Sequence, residues 1–394
     1  MAAVKILSVD DEAPLEQLMR QYFRRKIRNG EYEFFFAHNG LEALTILYNN
    51  PDIEIILSDI NMPEMDGLTL LAKVNEMRKP ALRVIMVSAY GDMKNIREAM
   101  NNGAFDFATT PHNLDDLSLT IEKAIAQINF VHESQKEHAQ LELLKTDLTT
   151  AHDIQQYILP RVFPPFPEDS DKVDIYASME AAKDIGGDFY DFFRIDDDRI
   201  ALVIADVCGK GIPAALFMAV SRTIIRSKGA QGRSAATCMT ESNNLLAAYS
   251  VDNMFVTVFY AIYNIKTGLV SYCNAGHNPP HLLRHDGTVS ELPMSENTIL
   301  GVFEGFEYQE ENLQLEHGDT LVMFTDGVTE ASDAEYNEFG TERLDSILRE
   351  QTERASMGSA PTQQIIEAVK AGIKDFVGDA EQSDDITMLV VKRK

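Results

Sequence analysis

Between Leu119 and Leu159 the chain reads LTIEKAIAQINFVHESQKEHAQLELLKTDLTTAHDIQQYIL, with no internal proline or glycine. Helix formers dominate this stretch. Its apolar positions Ile121, Ile125 and Ile128, then Leu141, Leu144, Leu148, Ala151 and Ile158, recur at the three-and-four spacing of one helix face. The pattern predicts a coiled-coil-like helix of about 40 residues, ~60 Å long at ~1.5 Å per residue. The polar middle, His132 to Gln140, breaks the apolar register, so one uniform seam is not expected. On an isolated helix the stripe would be wet; the expectation is a homodimer through this segment rather than a helix folded back onto a domain. The prolines of PRVFPPFPE then stop the helix and mark a boundary.

The helix separates two stretches of different texture, and 394 residues leave room for two or three domains. The expected boundaries are 1–125, a helical linker over 119–160, and 161–394. With 62 acids against 35 Lys plus Arg, the formal charge is −27, which repels polyanions and argues against nucleic acid or an anionic membrane as partner. The one basic cluster, Arg20, Arg24, Arg25, Lys26 and Arg28, falls on a predicted helix and reads as a solvated face. Three scattered cysteines, Cys208, Cys238 and Cys273, fit neither a disulfide framework nor a zinc site. No segment approaches 18 uninterrupted apolar residues and the N-terminus meets acids at once, so a soluble, cytoplasmic protein is expected.

On the N-terminal side, VKILSV, EYEFFFA, IEIILSD, LRVIMVSA and FDFAT alternate with amphipathic stretches such as PLEQLMRQYFRRKI and GLEALTILYN. Strand-length and helix-length patterns in strict alternation predict a parallel sheet covered on both faces. Asp10 and Asp11 close the first strand and Asp59 closes the third; ligand sites in such sheets lie at the carboxyl ends of strands. One aspartate at a strand end is commonly a turn residue, but three at corresponding ends would hold a hard dication and leave an oxygen to accept a phosphoryl group. Ser88, ending the fourth strand, offers a hydroxyl to the same phosphoryl oxygens.

The motifs SVDDE, LSDINMPEMDG, VSAY and TTP, in this order, resemble a CheY-like response-regulator receiver. That resemblance implies a flavodoxin-like α/β fold, Mg²⁺ held by Asp10, Asp11 and Asp59, phosphorylation of Asp59 by a histidine kinase, and Ser88 as switch hydroxyl. One position departs from the pattern: receivers carry Lys before the proline after the fifth strand, and this sequence has Thr110. Loss of the ammonium removes a direct contact to the phosphoryl group. The expectation is a blunted or rewired switch at Ser88 and Thr110.

Beyond Asp171 strand-like segments (VDIYASME, FYDFFRI, RIALVIAD, MFVTVFYAIYN, GLVSYCNAG, TLVMFTDG, ITMLVVKR) outnumber helices, which predicts antiparallel pairing in an α+β layered domain. Aspartates stand at strand ends in IGGDFYDF, VIADVCGKG, MFTDGVTE and QSDDITMLV. Charges buried without partners cost several kcal/mol, and a divalent ion such as Mg²⁺ or Mn²⁺ is the natural partner of clustered carboxylates. The histidines and cysteines show no triad-like arrangement.

GGDFYDF, ADVCGKGIPAAL, NAGHNPP, TDGVTEA and SDDITMLVV, with IQQYILP ahead of them, resemble the SpoIIE-type, or PPM-type, metal-dependent protein serine/threonine phosphatases. This resemblance implies a β-sandwich flanked by helices and a site for two Mg²⁺ or Mn²⁺ ions. It makes Asp188 a metal-site carboxylate, Asp206 a bridging ligand helped by the Val207 carbonyl, and Asp326 and one acid of the Asp384–Asp385 pair, with Asp384 favoured, the remaining ligands. The catalytic set is then Asp188, Asp206, Asp326 and Asp384. Asp191 could serve the metals or a structural hydrogen bond, His277 could be a general acid or hold its turn, and Lys210 could approach the phosphate or simply close a turn. The function implied is a response regulator whose output is dephosphorylation of a phosphoserine or phosphothreonine protein, expected to be a STAS-type anti-sigma-factor antagonist. The rival is a non-catalytic adaptor that captures a regulatory protein.

Overall fold

The computed structural model describes residues 3–88, 93–109, 114–249, 254–355 and 361–394. Contacts divide the chain into two compact units, Met1–Leu144 and Lys145–Lys394.

The first unit contains strands β1 (Val4–Val9), β2 (Tyr32–Ala37), β3 (Ile55–Asp59), β4 (Arg83–Ser88) and β5 (Asp106–Thr109). They form one parallel sheet in the order β2-β1-β3-β4-β5. Between them run helices α1 (Ala13–Tyr22), α2 (Arg24–Arg28), α3 (Gly40–Asn49), α4 (Gly67–Glu76) and α5 (Met93–Asn101). Alternate strand residues point to opposite faces. Ile6, Ile55, Leu57, Ile85 and Val87 pack with Leu15 and Met19, whereas Leu7, Val9, Ile56 and Met86 pack with Ala43, Leu47, Leu70 and Ile96. Both faces are therefore covered, which is why these strands are continuous apolar runs. The expected single helix over PLEQLMRQYFRRKI breaks at Phe23, whose ring is buried in the core.

The linker forms one helix, α6 (Leu114–Ile158). Its first turns close the receiver-side core through Leu117, Ile121, Ala124 and Ile128. The polar stretch after them does not interrupt the helix; Leu141, Leu143 and Leu144 are exposed.

The second unit contains β6 (Val173–Glu180), β7 (Phe189–Arg194), β8 (Arg199–Val207), β9 (Val256–Asn264), β10 (Leu269–Ala275), β11 (His281–Leu283), β12 (Val289–Glu291), β13 (Glu311–Gln314), β14 (Thr320–Phe324) and β15 (Ile386–Arg393). Its helices are α7 (Ile212–Gly229), α8 (Ala235–Tyr249), the single turn α9 (Asp326–Thr329), α10 (Gly340–Ala355) and α11 (Thr362–Val377). Two antiparallel five-stranded sheets, β13-β10-β9-β8-β7 and β12-β11-β14-β15-β6, make a sandwich. Leu321, Met323, Leu389 and Val391 face the first sheet, while Val322, Phe324, Met388 and Val390 pack with Leu344, Ile366 and Val369 of α10 and α11. Ala214, Met218 and Ile225 of α7 join the first core. The result is helices, sheet, sheet, helices: the layered α+β arrangement expected from the strand-rich texture.

Candidate active site

In the receiver unit, Asp10 and Asp11 follow β1 and Asp59 ends the neighbouring β3. Burial pushes the Asp10 carboxyl up to about 6, with the charges of Asp59, Glu12 and Asp11 adding to it and the Glu12 amide opposing. Asp59 is raised for the same reasons, burial first, against the amides of Ile60 and Asn61. The three acids thus share one electrostatic pocket at the carboxyl end of the sheet. Ser88 ends β4 opposite Thr109 of β5. Its side chain and Thr110 lie outside the described residues.

In the second unit each sheet contributes acids to one end of the sandwich. Asp188 immediately precedes β7 and Asp206 lies near the end of β8, in register with Thr257 of β9. Asp326 opens α9 directly after β14, and Asp384 and Asp385 lead into β15. Asp188 is 2% exposed, and its Oδ2 is among the buried oxygens with no hydrogen-bond partner. Burial, then the charges of Asp206 and Asp385, hold its carboxyl well above the usual carboxylate range; the neighbouring Thr325 and Thr387 hydroxyls oppose this. Asp206 is pushed up to about 7 by burial and by Asp326, Asp384 and Asp385, against a hydrogen bond with Asp188. Asp326 is raised by burial and by Asp384. Such mutual elevation marks negative charge that the protein does not balance.

The SDD pair divides. Asp385 is turned into the protein: Oδ1 accepts from the Ala182 amide at 2.9 Å, and Oδ2 from the amides of Gly187 at 2.7 Å and Asp188 at 3.3 Å. Asp384 turns the other way, and its Oδ2 lies 2.9 Å from Nζ of Lys210, which also donates to the Ser383 carbonyl at 2.6 Å. Among the described residues, no three His, Cys, Asp or Glu side chains converge closely enough to cage an ion as they stand; the physical reason is that backbone amides engage Asp385 and Lys210 engages Asp384. The donor chemistry nevertheless fits a hard dication, because the acids are carboxylates and one of them, Asp188, keeps a buried oxygen without a hydrogen-bond partner.

The paired glycines are required by close approach. A Cβ on Gly186 would stand 2.2 Å from Asp385 Oδ2, and one on Gly187 would stand 2.8 Å from the Val207 carbonyl oxygen. Neither position carries the positive φ that favours glycine.

Two open readings resolve. Asp191 is 1% exposed and is paired with Arg226 at 2.6 Å and Arg222 at 3.0 Å. It binds β7 to α7 and so takes the structural role. Its partners escaped sequence reasoning, although two arginines spaced by four on a predicted helix were the available signal. His277 is buried, and burial pushes its imidazole down to about 4. Nδ1 lies 2.9 Å from Thr257 Oγ1, and Asn274 bonds both its backbone N–H and its carbonyl; the turn is held by Asn274, and the imidazole reaches across to β9.

Comparison with known proteins follows the same division. Residues 196–394 match the family Stage II sporulation protein E (SpoIIE), and residues 6–122 match the response regulator receiver domain. Phosphoserine phosphatase RsbU of Bacillus subtilis (strain 168) is 31% identical over 284 residues, covering 72% of this chain and 80% of RsbU. Protein IcfG of Synechocystis sp. is 31% identical over 276 residues, 63% of this chain, and the match spans only 42% of IcfG. The SiaA-PP2C domain of Pseudomonas aeruginosa shares the fold, with a TM-score of 0.55 at 22% identity over 65% of this chain and 98% of that domain. The SpoIIE match takes in Asp206, Asp326 and Asp384, and the match to RsbU extends over most of both proteins. The chain therefore belongs to the SpoIIE family of serine phosphatases and carries a response-regulator receiver domain ahead of its phosphatase domain.

Proposed function

We propose that the phosphatase unit hydrolyses phosphoserine or phosphothreonine on a protein under control of the receiver, and that the substrate is a STAS-type anti-sigma-factor antagonist. One observation carries the reading: at one end of the sandwich the charges of Asp206, from one sheet, and Asp385, from the other, bear on Asp188, whose Oδ2 is buried without a hydrogen-bond partner. Similarity to RsbU, a phosphoserine phosphatase, supports the substrate class.

Asp188, Asp206, Asp326, Asp384 and the Val207 carbonyl would hold the metal, with Asp385 as a supporting residue that fixes the loop rather than a ligand. Bound Mg²⁺ or Mn²⁺ would lower the pKa of a water and neutralise phosphoryl oxygens. The chain's own contribution is orientation. Asp385 accepts three amides of the 182–188 loop, which sets the direction of Asp188. Lys210, at Asp384, is placed to meet the phosphate or the substrate backbone once Asp384 turns to a cation. The buried Thr325 and Thr387 exclude water behind the acids.

On the receiver, Asp59 is the phosphoacceptor for a histidine kinase, with Mg²⁺ at Asp10, Asp11 and Asp59; Thr110 weakens the usual Ser88 switch. A normal kinase-dependent change in activity that Thr110→Lys leaves unchanged would count against that weakening. The exposed leucines of α6 form a homodimer seam.

The test is Mn²⁺-dependent hydrolysis of a phosphoserine-bearing STAS protein by the full chain and by Asp206→Ala. Turnover lost in the variant supports the phosphatase; no turnover in either, with tight binding in both, establishes the adaptor instead.

A further inference from the structure

The last turns of α6 reach the loop that carries Asp188, and they do so through backbone hydrogen bonds. Gln155 is 4% exposed. Its Nε2 donates to the Gly186 carbonyl at 2.6 Å, and its Oε1 accepts from the Gly186 amide at 3.1 Å. One carboxamide therefore clamps both polar groups of one residue, two positions before Asp188. One turn earlier, His152 Nδ1 lies 2.6 Å from the Asp184 carbonyl, so that nitrogen carries the proton and donates. From the opposite side Asp385 holds the amides of Ala182, Gly187 and Asp188. Ile185, between the two grips, is buried. The loop is thus fixed through its backbone by the linker helix and by the SDD acid.

We propose that Gln155 is a positioning residue for Asp188: through the Gly186 peptide, the linker helix sets where this carboxylate stands and thereby the affinity of the site for divalent metal. The inference rests on the reading of Asp188 as a site acid. It follows from the directionality of the clamp. A carboxamide offers one donor and one acceptor, and both are matched to Gly186. A rotation or axial shift of α6 that keeps both bonds must carry Gly186 with it, and one that breaks them leaves two buried backbone groups unsatisfied. On its Cβ side Gly186 lies directly against Asp385, whose Oδ2 stands 2.2 Å from where a Cβ would be. The linker therefore acts on the same loop that Asp385 orders.

The experiment uses the full chain and compares wild type with Gln155→Glu, which is nearly isosteric but cannot donate to the Gly186 carbonyl, and with Gln155→Leu. The readouts are Mn²⁺ affinity of the phosphatase site, by calorimetry with the receiver acid substitution Asp59→Asn throughout and by the Mn²⁺ dependence of turnover, kcat and KM on the phosphoserine STAS protein, and amide hydrogen exchange over 182–189 and over β9. Supporting groups of this kind change metal affinity or activity by roughly 10-fold to 100-fold. The expected result for Gln155→Glu is Mn²⁺ affinity weakened about tenfold, kcat reduced with KM little changed, and faster exchange at Gly186 while β9 stays protected. Wild-type Mn²⁺ affinity and kcat with faster exchange at Gly186 overturn the proposal. So does a general loss of protection that includes β9, because it assigns Gln155 to stability alone. Asp206→Ala separates the two levels: if that variant hydrolyses normally, the phosphatase reading fails; if it is silent while Gln155→Glu is normal in metal binding and turnover, only the positioning role fails.

Discussion

Gly187→Ala should slow the enzyme by about tenfold without changing the fold. A Cβ at this position would stand 2.8 Å from the Val207 carbonyl oxygen and 3.4 Å from Ala214 Cβ. To reach ordinary contact, the carbonyl and the loop must part by roughly 0.5 Å. Neither side gives easily. Val207 ends the interior strand β8, paired with Val256 of β9, and the Gly187 amide is held by Asp385. A displacement of ~1 Å at a reacting centre costs ~100-fold in rate, so half of it predicts about tenfold, equivalent to about 1.4 kcal/mol of barrier. Overpacking adds a stability cost of about 1–3 kcal/mol. The assay is kcat and KM on a phosphoserine STAS protein as a function of Mn²⁺, with thermal unfolding alongside. The expected result is lower kcat and a higher Mn²⁺ requirement at nearly unchanged KM. Gly287→Ala is the control, since Gly287 has φ +94 and nothing within 4 Å of its Cβ position; it should lose stability by backbone strain and keep its rate. A folded Gly187→Ala protein with wild-type kcat and Mn²⁺ dependence would refute the argument that the Val207 carbonyl and the Asp188 loop must be in register.

Three further outcomes are expected. Asp384→Asn should remove the Mn²⁺ binding of the phosphatase site in calorimetry, leaving that of the receiver acids, with little change in melting temperature, whereas Asp385→Ala, which strips three amides of their acceptor, should cost about 3 kcal/mol or more in urea unfolding; the opposite pattern would exchange their roles. Because Asp206 is raised to about 7 in the folded protein from an ordinary 3.8, its contribution to the stability of metal-free protein is full below ~4 and lost as pH rises through ~7. The melting temperature of chelator-treated protein should fall between pH ~4 and ~7, less steeply in Asp206→Asn, and a flat profile in the wild type would contradict the assignment. Asp191→Ala leaves Arg222 buried without its partner and should destabilise by about 3 kcal/mol, at the low end for a broken buried pair because Arg226 is partly in water; chemical denaturation reads it, and a loss under 1 kcal/mol would mean that water replaces the carboxylate.

The acids of the site were legible because each interrupts an apolar run: Asp206 in VIADV and Asp326 after LVMFT stand out whatever the fold. The long strands were legible for the same reason, since both sheets bury β8, β9 and β15 almost completely and a buried strand needs no alternation. The short strands β11, β12 and β13, three or four residues each, show no readable period. Partnerships were not legible. Asp385 finds Ala182 across 203 residues and Asp191 finds Arg226 across 35, and these pairings depend on sheet register and helix docking rather than on local pattern. The SDD pair shows this most clearly. Two adjacent aspartates of identical chemistry take opposite directions because successive residues leading into a strand point to opposite sides, one toward Lys210 and one into the loop amides.

The linker poses the same problem on a larger scale. Leu117, Ile121, Ala124 and Ile128 follow the spacing that also places Leu141, Leu144 and Leu148 on one face, yet the first set is buried and Leu141 and Leu144 are 57% and 50% exposed. Periodicity states that a helix has an apolar face and is silent on what covers it. For the first turns the cover is the receiver's own sheet. For Leu141 and Leu144 no residue of the described chain supplies one, and a helix stripe of leucines left in water forfeits the burial that would otherwise stabilise it by ~25 cal/mol per Å². In the proposed homodimer a second copy of α6 would supply the matching face without any new chemistry. Cross-linking a cysteine placed at Leu144 in the full chain tests this. Dimers trapped at that position and absent from a Leu141→Lys/Leu144→Lys variant would establish the seam. A strictly monomeric wild type in solution would refute the seam.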